Sequence, residues 1–254
     1  MATTEIPASY VVLGASGGIG SHVARMLADA GHNVFLASKN SERLKALGSA
    51  LRSPTYTLDA TSIEEVDRCF SKTAAEFGRI DGAVNCVGSV LLKPAHLTNE
   101  LEWHETIEKN LTSAFATVRA AAKTMTKQGG SVVLMSSAAA QIGLASHEAI
   151  AAAKAGVVGL AKSAAASYAA RRLRFNVVAP GLVKTDLTKR IWESDRAAAT
   201  STSMHALGRL GEPAEVASLI VWLLDQQNSW VTGGVFSIDG GLGNVRLNGR
   251  PGAK

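Results

Sequence analysis

The 254-residue chain holds only two cysteines, Cys69 and Cys86. So few thiols exclude a disulfide framework and point to a reducing, cytoplasmic setting. No uninterrupted apolar run of about 18 residues is present, so no membrane span is expected. Met1 to Pro7 lack a basic start followed by an apolar stretch, so no secretory signal is expected. Basic residues are scattered, with no block longer than Arg171-Arg172-Leu173-Arg174. The net charge of +5 therefore suggests a small anionic ligand and argues against nucleic acid. No metal site is expected. The segment Arg246 to Lys254, with Gly249, Pro251 and Gly252, reads as a flexible terminus or a subunit contact.

What the chain does have is apolar content. Hydrophobic residues make up 46% and charged residues 19%, enough for a large core. Short apolar runs read as strands at Tyr10–Leu13, Asn33–Ala37, Thr55–Leu58, Ala83–Asn85, Val132–Met135, Phe175–Val178 and Val235–Ile238. Between them lie predicted helices over Ile19–Ala30, Glu42–Leu51, Ile63–Phe77, Leu101–Lys127, Glu148–Ala169 and Pro213–Leu224. In the third, Ile63, Val66, Phe70, Ala74 and Phe77 recur at helical spacing and should face a sheet. Cys69 in that helix reads as a packed small residue. Strand–helix alternation over 1–254 predicts one α/β domain, a doubly wound parallel sheet of the Rossmann type with helices on both faces. The rhythm weakens at about 185–211, which predicts a lid; the alternative is a surface loop.

The first strand runs directly into Gly14-Ala15-Ser16-Gly17-Gly18-Ile19-Gly20 and then a helix. Glycines at 14, 18 and 20 let backbone approach a pyrophosphate at the helix N-terminus, where unpaired N–H groups and the dipole attract anions. A Gly-rich turn alone is weak, but its place between a first strand and a helix makes it a dinucleotide signal.

The spacing Gly-x-x-x-Gly-x-Gly resembles the short-chain dehydrogenase/reductase family, and the resemblance continues along the chain. Asp59 stands where the family's Asp contacts adenine. Asn85-Cys86-Val87-Gly88 is similar to the Asn-Asn-Ala-Gly turn beneath that ring. Trp103 with Asn110 matches the helix that carries the catalytic Asn. Ser137 lies at the catalytic Ser position, and Lys154 at the catalytic Lys. Pro180-Gly181-x-Val183-x-Thr185 resembles the segment that closes over the nicotinamide. Gly211-Glu212-Pro213 and Asp239-Gly240-Gly241 match the last helix and strand. The cofactor-binding set so implied is Gly14, Ser16, Gly18, Ile19, Gly20, Ser38, Lys39, Asp59, Asn85, Gly88, Lys154, Pro180, Gly181, Val183 and Thr185.

Cofactor choice turns on the end of the second strand. NAD-preferring members carry a carboxylate there for the ribose hydroxyls. Here the residues are Ser38 and Lys39, which suit a 2′-phosphate. NADP(H) is expected over NAD(H). The alternative is a solvated Lys39, and Gly17 lacks the basic side chain many NADP-preferring members place there.

The proton chemistry departs from the family. The catalytic Tyr stands four residues before the Lys, and here that residue is Ile150, which cannot donate or accept a proton. By the resemblance, Asn110 positions a water, Ser137 polarises a carbonyl and Lys154 holds the nicotinamide ribose. His147, seven residues before Lys154, is a candidate replacement acid: seven residues is about two helical turns. Enoyl-thioester reductases of this superfamily place their Tyr at the same spacing. The alternative is a His147 that caps the helix or lines the pocket. Glu148 is a weaker candidate, because a carboxylate repels a developing oxyanion. Tyr168 is too far along the helix and is expected at a subunit contact. Cys86 reads as structural.

Leu187, Ile191, Trp192, Met204 and Leu207 give the lid an apolar lining and suggest a mainly apolar small-molecule substrate; the alternatives are a partner surface or simple packing on the core. The Ala- and Gly-rich stretch from Ala151 to Ala166 permits close helix approach. In the family this helix and the Asn110 helix build a dimer, and dimers pair into tetramers, so a homo-oligomer is expected; the alternative is tight packing on its own sheet. Three functions remain open. The first is a carbonyl reductase or alcohol dehydrogenase with an altered proton donor. The second is a catalytically silent dinucleotide-binding sensor or subunit. The third is an enoyl-type C=C reductase.

Overall fold

The structure, a computed structural model, describes residues 7–246. The tail expectation therefore lies, beyond Arg246, outside the described residues. Seven parallel strands form one sheet in the order β3-β2-β1-β4-β5-β6-β7. They are β1 (Ser9–Leu13), β2 (Asn33–Ser38), β3 (Thr55–Thr57), β4 (Gly82–Asn85), β5 (Gly130–Met135), β6 (Leu173–Pro180) and β7 (Val235–Ile238). Every strand of the sequence reading is present, with ends shifted by a residue or two.

The inner strands are buried on both faces, which is why they read as unbroken apolar runs. Successive side chains point to opposite layers. Val11 and Leu13 of β1 join Phe70, Val157 and Phe175 in one core, whereas Tyr10 and Val12 join Val23, Leu44 and Ile220 in the other. The first core is covered by α3 (Ile63–Phe77), α5 (Ser113–Thr124) and α6 (Glu148–Tyr168). The second is covered by α1 (Gly18–Asp29), α2 (Ser41–Leu51) and α9 (Pro213–Leu224). Cys69 is fully buried in α3, as a packed residue should be.

Two elements differ from the sequence reading. The helix expected over Leu101–Lys127 is α4 (Glu100–Ile107) and α5 joined through a π-helical turn at Glu108–Thr112. Such turns widen a helix and mark functional sites, and this one presents Asn110. Residues 185–211, expected to be irregular, contain α7 (Lys189–Trp192) and α8 (Asp195–Met204). Ala and Ser/Thr dominate α8, so its helical period carries little contrast. Tyr168 packs on Phe175 of β6, ring centroids 5.8 Å apart, and stays partly exposed.

The stretch Glu148–Arg171 is long and apolar enough on average to cross a membrane. Lys154 and Lys162 interrupt it, which is why it is not an unbroken apolar run. In the fold, Ala149, Ile150, Ala153, Val157, Ala161 and Ala165 bury one side of it in the protein.

Candidate active site

The order reversal between β1 and β4 opens a crevice at the C-terminal ends of the strands, the usual place for a ligand in such a sheet. The glycine turn lies there. Gly14 has φ +75°, and a Cβ on it would sit 3.0 Å from the backbone of Cys86 and Val87. A Cβ on Gly20 would fall 2.3 Å from Gly14 O, so helix and turn close tightly only with glycine. At the start of α1, Gly17 supplies no side-chain cap, and the first turn has no acidic residue. The first-turn N–H groups are thus left for an anion. Gly18 also makes room for the segment after β6: its Cβ would lie 2.7 Å from Thr185 Cγ2.

At the far end of β2, the Ser16 and Ser38 hydroxyls are hydrogen-bonded at 2.6 Å. Lys39 Nζ donates to Asp59 Oδ2 at 2.6 Å, so two residues assigned separately from the sequence meet. That bond, with the Thr61 N–H, holds the Asp59 carboxyl down at about 2. Lys39 itself is largely exposed. The Asn85 side chain turns inward. It donates to Thr117 Oγ1 at 3.1 Å and Ser113 Oγ at 3.3 Å, and accepts from the Val87 N–H at 2.8 Å. Its contribution is to hold the Cys86–Gly88 turn.

Further along the crevice, one cavity of about 140 Å³ is lined by Ile19, Gly88, Asn110, Ser137, Ile150, Lys154, Pro180, Gly181, Val183 and Thr185. These ten are part of a lining of eighteen residues; nine of the eighteen are among the expected catalytic or cofactor-binding residues, and Ile150 is the residue that the sequence reading sets at the family's Tyr position. Lys154 Nζ donates to Met135 O at 2.9 Å, and burial lowers its pKa to about 8. The Asn110 Nδ2 donates to Thr106 O and Ser89 Oγ, both at 2.9 Å, while Oδ1 accepts from the Ser89 N–H at 3.2 Å. Its side chain is therefore a bracket between the π-turn and the strand-end loop. Ser137 Oγ accepts from the Ala139 N–H at 3.2 Å, which leaves its own proton to donate. Burial pushes the Cys86 thiol up to about 12, which suits a structural residue.

A second cavity of about 180 Å³ adjoins the first and shares Ser137, Ile150, Pro180 and Gly181 with it. Its walls are mostly apolar and include Val90, Leu92, Leu144, Ile191, Met204 and Leu242, with His147 and His205 among the polar groups. Ile191 and Met204 therefore line it as the sequence predicts, and Leu187 lines the first cavity. Trp192 instead donates its indole N–H to Thr188 Oγ1 at 3.2 Å, and Leu207 borders a neighbouring hollow. His147 stands before α6 but makes no side-chain cap bond. Its Nδ1 lies 2.7 Å from Ala145 O. A carbonyl only accepts, so Nδ1 carries a proton and Nε2 is the ring nitrogen that this bond does not use. Glu148 is exposed and lines neither cavity.

Sequence reasoning missed His205, Val90, Leu92, Leu144 and Leu242. All lie in loops or at element ends, where no periodicity signals a shared wall.

Comparison with known proteins gives this geometry a family. A family profile described as enoyl-(acyl carrier protein) reductase matches residues 14–243. The chain belongs to the short-chain dehydrogenase/reductase family. A 3-oxoacyl-[acyl-carrier-protein] reductase of Thermotoga maritima is 35% identical over 240 residues, covering 91% of this chain and 96% of that protein. A D-threitol dehydrogenase of Mycolicibacterium smegmatis is 33% identical over 237 residues, covering 91% of each. Among solved structures, a short-chain type dehydrogenase/reductase from Mycobacterium ulcerans superposes with a TM-score of 0.90 at 31% identity, over 94% of this chain and 90% of that one. Relatives bearing oxidoreductase names thus surround a chain whose sheet order and crevice match the family's fold.

Proposed function

We propose that the protein is an NADP(H)-dependent oxidoreductase that reduces a carbonyl, or oxidises an alcohol, of a mainly apolar small molecule through an altered proton-donor site. The observation that carries this reading is the meeting of Ser137 and Lys154 with the Pro180–Thr185 segment in one cavity, beside a second, apolar one.

The residues fit a nicotinamide dinucleotide. The uncapped first turn of α1 suits the pyrophosphate, and Ser38 and Lys39 suit a 2′-phosphate, with no carboxylate at Ser38 to favour ribose hydroxyls. When bound, the nicotinamide supplies or accepts a hydride. The Lys154 ammonium spends one N–H on Met135 O, which leaves the others for the ribose. Ser137 donates a hydrogen bond from its hydroxyl to the carbonyl oxygen and so stabilises charge developing there. The apolar walls exclude water and hold the substrate by burial. Ile150 contributes hydrocarbon where the family has a phenol. His147, which lines the second cavity, then delivers the proton from its charged ring.

The reading predicts NADPH-dependent reduction of apolar ketones, with His147→Ala lowering turnover about 10²–10⁴-fold, the usual value of a positioned acid. Unchanged turnover in that variant removes His147 from the mechanism.

One observation favours a second reading, a catalytically silent dinucleotide-binding sensor or subunit. Ile150 is only 4% exposed and its hydrocarbon walls both cavities. Failure to turn over any ketone or enone, with NADPH bound tightly, selects it. The seven-residue spacing of His147 and Lys154 keeps an enoyl-type C=C reductase as a further alternative; loss of an enone's C=C bond with its ketone intact selects that one. We also infer a homo-oligomer. Ala152, Ala155, Gly159 and Ala166 of α6 and Phe115 of α5 are exposed, so much of the small-residue face remains outside the chain's own core.

A further inference from the structure

Among the described residues His205 is the only buried histidine, 3% exposed, and the mechanism above makes no use of it. It follows α8, at the end of the lid. Both ring nitrogens are engaged. Nδ1 lies 2.7 Å from Ser201 O on α8, and Nε2 lies 3.1 Å from the Leu182 N–H just past β6. A carbonyl only accepts and an amide N–H only donates. The ring is therefore neutral, with its proton on Nδ1. The backbone leaves space for it: a Cβ on Gly181 would fall 2.6 Å from His205 Nε2. His205, Leu182, Ser201 and Met204 share the wall of the apolar cavity with Ser137.

We propose that His205 is the latch of the lid, a positioning residue that holds the end of α8 to the end of β6 and closes the substrate cavity while its ring is neutral. The substrate-facing half of this inference rests on the oxidoreductase reading above; the latch itself does not. Protonation would put a second N–H on Nε2, pointing at the Leu182 N–H. Donor would then face donor, and the tie would part. The charged groups around the ring do not replace it. Asp239, beyond β7, shares a hollow with His205 and favours a charged ring, but its carboxylate accepts from the Gly241 and Gly243 N–H groups at 2.9 and 2.8 Å. Arg209, before α9, and Glu215, within it, border the same hollow and pair with each other at 2.5 Å. His147 faces the substrate cavity from the start of α6. None of them offers Leu182 an acceptor.

Two variants separate the latch from general packing. Gln in His205→Gln carries an acceptor for Leu182 and a donor for Ser201, and it does not titrate. Leu in His205→Leu offers neither bond. Hydrogen exchange over residues 182–204 of the full chain, without added cofactor, compares them at the same pH, so intrinsic exchange rates cancel. Near pH 8 we expect wild type and His205→Gln to be equally protected. His205→Leu should exchange about tenfold faster, the size of one lost net hydrogen bond. The latch is overturned if His205→Leu is as protected as wild type near pH 8. It is equally overturned if His205→Gln exchanges as fast as His205→Leu near pH 8. This readout needs neither cofactor nor turnover, so it fails independently of the oxidoreductase reading. In a ketone reductase assay, His205→Leu should raise KM more than it lowers kcat. A fall in kcat with KM unchanged would overturn its place at the substrate wall.

Discussion

Replacing Ile150 by tyrosine tests the proposed site by gain of function. Ile150 lines both cavities and is one helical turn before Lys154, so a phenol at this position would share a helix face with the ammonium. The two cavities, about 140 and 180 Å³, are each several times the ~30 Å³ share of one water in the liquid. A ring entering them should escape most of the roughly 1–3 kcal/mol that overpacking a filled core costs. The gain expected from a positioned acid is about 10²–10⁴ in rate. That corresponds to about 3–5 kcal/mol off the barrier. The assay is NADPH consumption with a panel of apolar ketones, run as single turnovers so that product release does not mask chemistry. In a His147→Ala background, where the proposed acid is gone, Ile150→Tyr should raise the single-turnover rate over His147→Ala alone by at least the lower figure. An unchanged single-turnover rate, with NADPH binding intact, would refute the assignment of this cavity to carbonyl reduction.

Other perturbations address the cofactor and the buried charge. Lys39→Ala should weaken NADPH binding about tenfold, measured by calorimetry, while NADH binding stays level, because only the 2′-phosphate uses this ammonium. Equal losses for both cofactors would make Lys39 a general surface charge. Lys154→Met should change stability in a pH-dependent way. Burial lowers the Lys154 pKa from 10.5 to about 8, so the charged form destabilises the fold. Below about pH 8 both folded and unfolded chains carry the charge, and the full penalty, on the order of 3 kcal/mol, applies. Between about pH 8 and 10.5 the folded chain has lost the proton and the unfolded chain has not, so the penalty fades as pH rises. Denaturant midpoints should therefore show the variant more stable at neutral pH, by somewhat less than that amount because the bond to Met135 O, worth about 1 kcal/mol, is also lost. Near pH 10.5 the gain should be absent; a gain that persists there would refute burial as its cause.

Much of this molecule is visible in its sequence, for reasons the structure makes concrete. Val11 and Val12 face opposite cores, so β1 reads as an unbroken apolar run. Gly14 and Gly20 stand where backbone touches backbone, so only glycine fits and the turn declares itself. Asn110, Ser137 and Lys154 could be named because each falls in a motif that resembles the family's, on the turn between α4 and α5, just after β5 and on α6. Less accessible was anything set by side-chain partnership across the chain. No spacing rule pairs Lys39 with Asp59, or turns Asn85 inward to Thr117. The π-turn at Asn110 inserts into an otherwise regular apolar pattern without changing residue types. The helices within residues 185–211 were hidden because Ala, Ser and Thr give α8 little contrast between faces. His205 escaped notice because its value lies in two backbone groups, Ser201 O and Leu182 N–H, which carry no side-chain signature.

The central claim is that this crevice holds a nicotinamide dinucleotide and distinguishes its 2′-phosphate. Calorimetric titration of the purified chain with NADPH and with NADH at neutral pH tests it most directly. The account predicts tight NADPH binding and clearly weaker NADH binding. Binding of neither would contradict it, leaving the glycine turn without a ligand and the oxidoreductase reading without a foundation.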